Sequence, residues 1–158
     1  MLIIEDNFFS PEEFNELRET YATQSSMTSI WLPAEQLDGV LKKLLTFAKT
    51  KFRIGSLGGV EVWTHNNTKP GVHVDKDEGL FNCSGQERFP LCSIVVYLTV
   101  NNVNGGVFEC PGVSVAPIAN RVLFFSPGLV HNVTDYTGDR CCLAVNPWDY
   151  PPKDLHAT

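Results

Sequence analysis

His73, Val74 and Asp75 place an imidazole and a carboxylate two residues apart in a segment whose composition suits a β-strand. Alternation along a strand puts both polar groups on one face and Val72 and Val74 on the other, so His73 and Asp75 can grip one ion together. His131 stands much further along the chain, just after the Pro127-Gly128 turn, where a new strand is predicted to open. Two imidazoles and one carboxylate on one side of a metal form the facial triad used by non-haem Fe(II) oxygenases, with coordination positions left open. A His-x-Asp pair alone is a weak signal, since any strand can carry one on a solvated face.

Arg140 is the next group able to do chemistry. If Thr137-Gly138 forms a two-residue hairpin turn, Asp135 faces Arg140, His131 faces Ala144, and His131 shares a face with Arg140 about 13 Å along the strand. A guanidinium bonds a carboxylate through two parallel N–H donors and stays charged, so a five-carbon dicarboxylate held on the metal would span that gap. The competing reading is a surface ion pair of Arg140 with Asp135 or Asp139, which contributes little.

These groups need elements to hold them. Leu2 to Ile4 reads as a short edge strand. Ser10-Pro11-Glu12-Glu13 carries a helix start, with Ser10 as cap, Pro11 at the first helical position and Glu13 completing a capping box. Phe14, Leu17 and Tyr21 follow at helical spacing. A second helix is predicted from Ala34 to about Lys49, with Leu37, Val40, Leu41, Leu44, Leu45 and Ala48 as its apolar stripe. From Gly58 on, short β-type runs take over, near 60–64, 72–75, 91–100, 106–110, 113–116, 121–126, 131–135 and 140–146. Asn, Gly and Pro break them. In the 91–100 run, Cys92, Ile94, Val96, Leu98 and Val100 share an apolar face, and Ser93, Val95, Tyr97 and Thr99 share a mixed one. Helices followed by about eight short strands predict a mainly β fold with flanking helices, a jelly-roll double sheet with the N-terminal helices packed outside. An immunoglobulin-like sandwich does not account for the helical first third.

Bulk properties bound the remaining choices. The chain has 158 residues, 43% hydrophobic and 19% charged, with a formal net charge of −6. That suits one domain with a real core, divided into a helical support region (1–57) and a jelly-roll core (58–149). The acidic balance offers no reason to expect nucleic-acid binding. No apolar run approaches the roughly 20 residues of a membrane span, and no basic segment leads into an apolar one at the N-terminus, so a cytoplasmic protein is expected. The five cysteines (83, 92, 110, 141 and 142) read as reduced, mostly buried thiols, with Cys141 and Cys142 pointing to opposite faces of one strand. His65 reads as a surface or loop residue, His156 as part of a mobile tail, and Met27 and Trp31 as core.

Taken in order, His73-Val74-Asp75, Ser93-Ile94-Val95-Val96-Tyr97-Leu98, Gly105-Gly106-Val107-Phe108, Arg121-Val122-Leu123-Phe124-Phe125, His131 and Arg140 resemble the Fe(II)/2-oxoglutarate-dependent dioxygenases, and within them the prolyl-4-hydroxylase-like group. The N-terminal run Ile4 to Glu13 is similar to the start of such enzymes. The resemblance implies a cupin-like double-stranded β-helix in which His73, Asp75 and His131 bind Fe(II). Arg140 and the Tyr97 hydroxyl would hold the distal carboxylate of 2-oxoglutarate, with Trp63 also at the cosubstrate. It further implies use of O2, with ascorbate as an accessory, and hydroxylation of a C–H bond, foremost of prolyl residues in a peptide or protein, with release of succinate and CO2. Trp63 stands where prolyl hydroxylases commonly have a Tyr, and Pro70 where a second Tyr is frequent. Asn146 shares the face of Arg140 near the end of the last strand. The long 76–90 connection is expected to act as a substrate lid carrying Phe81 and Arg88, and Asn146 is a third substrate candidate. The alternatives are a hydroxylase of a free amino acid or other small molecule, a cupin-like metalloprotein that does not use 2-oxoglutarate, and a binding domain without metal.

Overall fold

The structure, a computed structural model, describes residues 1–22 and 29–153. Met27 and His156 lie outside the described residues. Two sheets face each other. The larger has six strands in the order β1 (Leu2–Glu5), β7 (Val122–Phe125), β4 (Ser93–Gly105), β9 (Tyr136–Trp148), β3 (Gly59–Asn66) and β2 (Ile30–Pro33). The smaller has three in the order β6 (Val113–Val115), β5 (Phe108–Cys110) and β8 (Asn132–Val133). All pairings are antiparallel. Three α-helices, α1 (Pro11–Leu17), α2 (Gly39–Phe52) and α3 (Glu78–Ser84), accompany them among the described residues, α1 running on into a π-helical turn at Arg18–Ala22. This is the jelly-roll architecture expected from the strand pattern.

The period-2 code of β4 shows why the sheets lie as they do. Cys92, Ile94, Val96 and Leu98 enter a core with Leu41, Leu44, Leu45 and Ala48 of α2, while Tyr97 enters a second cluster with Phe108, Leu123 and Phe125 between the sheets. Val100 breaks the predicted alternation and packs with the second cluster, because a register shift between Tyr97 and Thr99 rotates the strand. Cys141 joins the helix-side core and Cys142 the inter-sheet cluster, and all five cysteines are free thiols. The Ser10 capping box forms as predicted: the Ser10 hydroxyl accepts from the Glu13 N–H at 3.2 Å, and the Ser10 N–H donates to the Glu13 carboxylate at 2.9 Å.

Three expectations need correction. The second helix begins at Gly39, not Ala34, because Leu37 is extended and Gly39 left-handed (φ +54), leaving only one 3-10 turn at Ala34–Gln36. Trp31 sits in β2, a strand the sequence reading did not include. Thr137-Gly138 is not a hairpin turn. β9 runs straight through it against an equally long β4, with Gly105 opposite Tyr136 and Asn101 opposite Asp139. Gly138 (φ +96) is a glycine for another reason: a Cβ there would collide with the backbone carbonyl of Asn102. His131 therefore does not face Ala144, which pairs instead with Val95 and Trp63.

Candidate active site

His131 faces His73. The two form an isolated antiparallel bridge, each N–H donating to the other's carbonyl at 3.0 Å. The predicted 72–75 strand is reduced to this one pairing. A narrow pair of antiparallel residues presents its side chains on one side, so the rings lie with centroids 4.2 Å apart. Asp75 then brings Oδ1 to 3.3 Å from His73 Nε2 and 3.9 Å from His131 Nε2. One ligand atom from each residue fits within 4.8 Å of the others, and this is the one such group of His, Cys, Asp and Glu found among the described residues.

The surrounding bonds orient these atoms. His73 Nδ1 meets the Gly71 carbonyl at 2.7 Å and His131 Nδ1 meets the Leu129 carbonyl at 2.8 Å. A carbonyl only accepts, so each Nδ1 carries a proton, and Nε2 is the nitrogen that each ring turns toward Asp75. The Ser93 hydroxyl donates to Asp75 Oδ2 at 2.7 Å, leaving Oδ1 for the centre. Phe108 stacks on the His131 ring at 5.3 Å and Phe125 meets its edge at 4.8 Å. Burial pushes the Asp75 carboxyl up, but the His73 contact, the His131 charge and the Ser93 hydroxyl outweigh it and hold the group at about 2. Burial also works against a charged His73, yet Asp75 lifts it above the ordinary imidazole value; at the more enclosed His131, burial prevails and lowers it. One carboxylate and two imidazole Nε2 atoms are a donor set of the right charge and hardness for a divalent first-row metal, and the residues fit Fe(II).

The same cavity reaches Arg140, Tyr97, Trp63, His65 and Asn146. Arg140 is 2% exposed, and its Nε is buried without a hydrogen-bond partner; so is the Tyr97 hydroxyl, which is 0% exposed. Burial, opposed by the nearby Arg140 charge, raises the Tyr97 pKa, keeping the phenol a proton donor. The surface-pair reading of Arg140 does not hold. Asp135 is taken by Lys69, and the Asp139 carboxylate accepts from Asn67 Nδ2 at 3.2 Å. A buried cation with an unused donor, beside an unused hydroxyl, is costly unless an anion completes it.

The other predicted residues divide. Trp63 lines the cavity, but its indole N–H donates to His65 Nε2 at 3.1 Å. His65, read from sequence as a surface or loop residue, is half-buried and lines the cavity. The signal was present: Trp63 and His65 are two apart on β3, so any strand that turns one inward turns in both. Pro70 and the buried Asn146 also line it. Phe81 and Arg88 are not among the lining residues. The Phe81 ring lies 3.6 Å from Lys76 Nζ, and Arg88 pairs with Asp149 at 3.2 Å while its guanidinium covers the Tyr150 ring. Asp77 caps α3 through the Leu80 N–H and accepts from the Tyr150 hydroxyl at 2.8 Å and the Lys153 N–H at 3.0 Å. The 76–90 segment is thus strapped to residues 149–153. Ser93, which sequence reasoning placed on the right face but gave no role, is a partner of the centre.

No family model matches the chain, and no curated protein matches it. Solved structures do. The viral collagen prolyl hydroxylase of Paramecium bursaria Chlorella virus-1, in complex with 2OG, superposes with a TM-score of 0.64 at 17% identity, over 92% of this chain and 94% of that one. A Pseudomonas putida prolyl-4-hydroxylase gives 0.64 at 17% identity over 95% and 93%. A Trichoplax adhaerens prolyl hydroxylase, in complex with a peptide fragment of the hypoxia inducible factor oxygen degradation domain, gives 0.55 at 14% over 94% and 83%. No helix among the described residues is long and apolar enough to cross a membrane. The chain has the fold shared by the prolyl hydroxylases and other 2-oxoglutarate/Fe(II) oxygenases.

Proposed function

We propose that the protein is an Fe(II)- and 2-oxoglutarate-dependent dioxygenase that hydroxylates a C–H bond, releasing succinate and CO2. One observation carries this: a His73/Asp75/His131 cluster and a buried, incompletely partnered Arg140 open into the same cavity of an oxygenase-type jelly roll. His73 and His131 would bind the iron through Nε2 and Asp75 through Oδ1. Iron with 2-oxoglutarate supplies the oxidising power for C–H hydroxylation when bound. The chain's own work is orientation. Arg140 takes the distal carboxylate on paired N–H donors, and the Tyr97 hydroxyl adds a second donor. Phe108 and Val133 line the cavity with apolar surface beside His131, and Phe125 packs on the edge of the His131 ring.

The acceptor proposed is a prolyl residue of a peptide or protein, with ascorbate as accessory reductant and a cytoplasmic setting. The prolyl hydroxylases among the fold's relatives, one of them holding a peptide, support that choice. A second reading, hydroxylation of a free amino acid or other small molecule, is favoured by the buried Asn146 amide in the wall. Succinate formation by iron-loaded protein, assayed against proline-containing peptides, free amino acids and nucleobases, tests both. Turnover that needs iron and 2-oxoglutarate, and that rises with one acceptor class, is expected. Absence of succinate with every acceptor, in protein shown to hold iron, would overturn the proposal.

A further inference from the structure

Arg140 lies in an enclosure built from residues far apart in the chain. Its guanidinium carbon is 5.2 Å from the centre of the Tyr97 ring and 5.4 Å from that of Tyr136. A ring face attracts the cation without taking up an N–H in a hydrogen bond. On a further side stands Gly106, where a Cβ would lie 3.0 Å from Arg140 Cδ and 3.1 Å from Nε, and where the backbone is left-handed at φ +65. A Cβ there would crowd Arg140 by a few tenths of an ångström, and the left-handed backbone disfavours any side chain. The Arg140 backbone is held from both directions by Asn67, whose Oδ1 accepts the Arg140 N–H at 2.9 Å and whose N–H donates to the Arg140 carbonyl at 2.9 Å. Tyr136 does two things: its ring packs on the guanidinium, and its hydroxyl donates to the Thr68 carbonyl at 3.2 Å, tying down the loop that follows β3.

We propose that Tyr136 and Gly106 are positioning residues for Arg140, presetting the guanidinium edge-on to the cavity so that it grips a planar carboxylate without first losing side-chain freedom. Flanked by two rings and by Gly106, a long flexible side chain is ordered before the ligand arrives. The identity of that ligand, the distal carboxylate of 2-oxoglutarate, rests on the function proposed above; the enclosure itself does not.

The test uses the full chain with Tyr136→Leu, Tyr136→Phe and Gly106→Ala, each checked for an unchanged melting temperature in the ligand-free state. Binding of 2-oxoglutarate to Mn(II)-loaded protein is measured by calorimetry, and the arginine Nε–H resonances are recorded by NMR without ligand, Arg140→Lys identifying the signal. Tyr136→Leu and Gly106→Ala weaken binding about ten-fold, and raise KM for 2-oxoglutarate with kcat largely kept. Tyr136→Phe, which keeps the ring, stays within about two-fold of wild type. The Arg140 Nε–H signal persists in wild type and Tyr136→Phe and is lost to solvent exchange in Tyr136→Leu. Wild-type affinity in a folded Tyr136→Leu overturns the proposal. So does a Tyr136→Phe protein as weak as Tyr136→Leu, since the hydroxyl tie to Thr68 would then be the active part. If wild type binds no 2-oxoglutarate, the proposed function falls, and the NMR comparison alone decides the positioning claim.

Discussion

The two ends of the cavity are built on opposite terms. At the His73/Asp75/His131 end every polar atom turned away from the centre is engaged: both Nδ1 atoms on carbonyls and Asp75 Oδ2 on Ser93. At the Arg140 end the charge is held by ring faces and a glycine, with Nε and the Tyr97 hydroxyl left without partners. The first arrangement fixes its ligand atoms in place and selects what is bound by geometry. The second is a standing cost that a ligand removes. A protein that tolerates a buried, uncompensated cation has a use for it.

The largest expected effect breaks the metal end. His131→Ala removes one of three ligands, and Fe(II) or Mn(II) affinity, followed by competition with a chelator, falls by more than about 100-fold, beyond the range for residues that only orient a ligand. Next comes the other end. Arg140→Met deletes an unsatisfied buried charge while keeping most of the volume, so the ligand-free protein becomes about 1–3 kcal/mol more stable in denaturant titration, or at least no less stable. A loss of stability of that size would mean that the aromatic faces more than compensate the charge. Ser93→Ala sharpens the comparison by freeing Asp75 Oδ2, and metal affinity drops about ten-fold.

Acid stability tests the metal end a second way. Asp75 is held at about 2 in the folded chain, below its ordinary 3.8. Its contribution to the stability of metal-free protein is therefore fully present above about pH 4 and is lost as pH falls through about 2. Denaturant titrations from pH 5 downward should show that decline in wild type and a shallower one in Asp75→Asn.

The features of the molecule legible in sequence are those governed by alternation. His73-x-Asp75, the two faces of β4 and the opposed Cys141 and Cys142 all follow from side chains switching sides at each residue. Glycine was the main source of error. Gly138 beside Thr137 has the look of a hairpin turn, yet it serves a close approach of the Asn102 carbonyl, and a local window cannot separate the two uses. Arg140 was thus found for its chemistry but given the wrong strand partners. The 76–90 connection has the length of a lid, and its ties to Asp149, Tyr150 and Lys153 through Arg88 and Asp77 are ones that no local pattern announces. Tyr136 escaped notice because its role depends on the register of β9.

On the proposed function, the three-residue cluster and Arg140 hold one molecule between them. Calorimetric titration of 2-oxoglutarate into three samples tests it most directly: wild type loaded with Mn(II), wild type stripped of metal, and metal-loaded Arg140→Met. Tight one-to-one binding in the first sample, and at least about 100-fold weaker binding in the other two, is the predicted result, since each end then supplies charge-assisted bonds the other cannot replace. Equal affinity in all three, or none in the first, would contradict it.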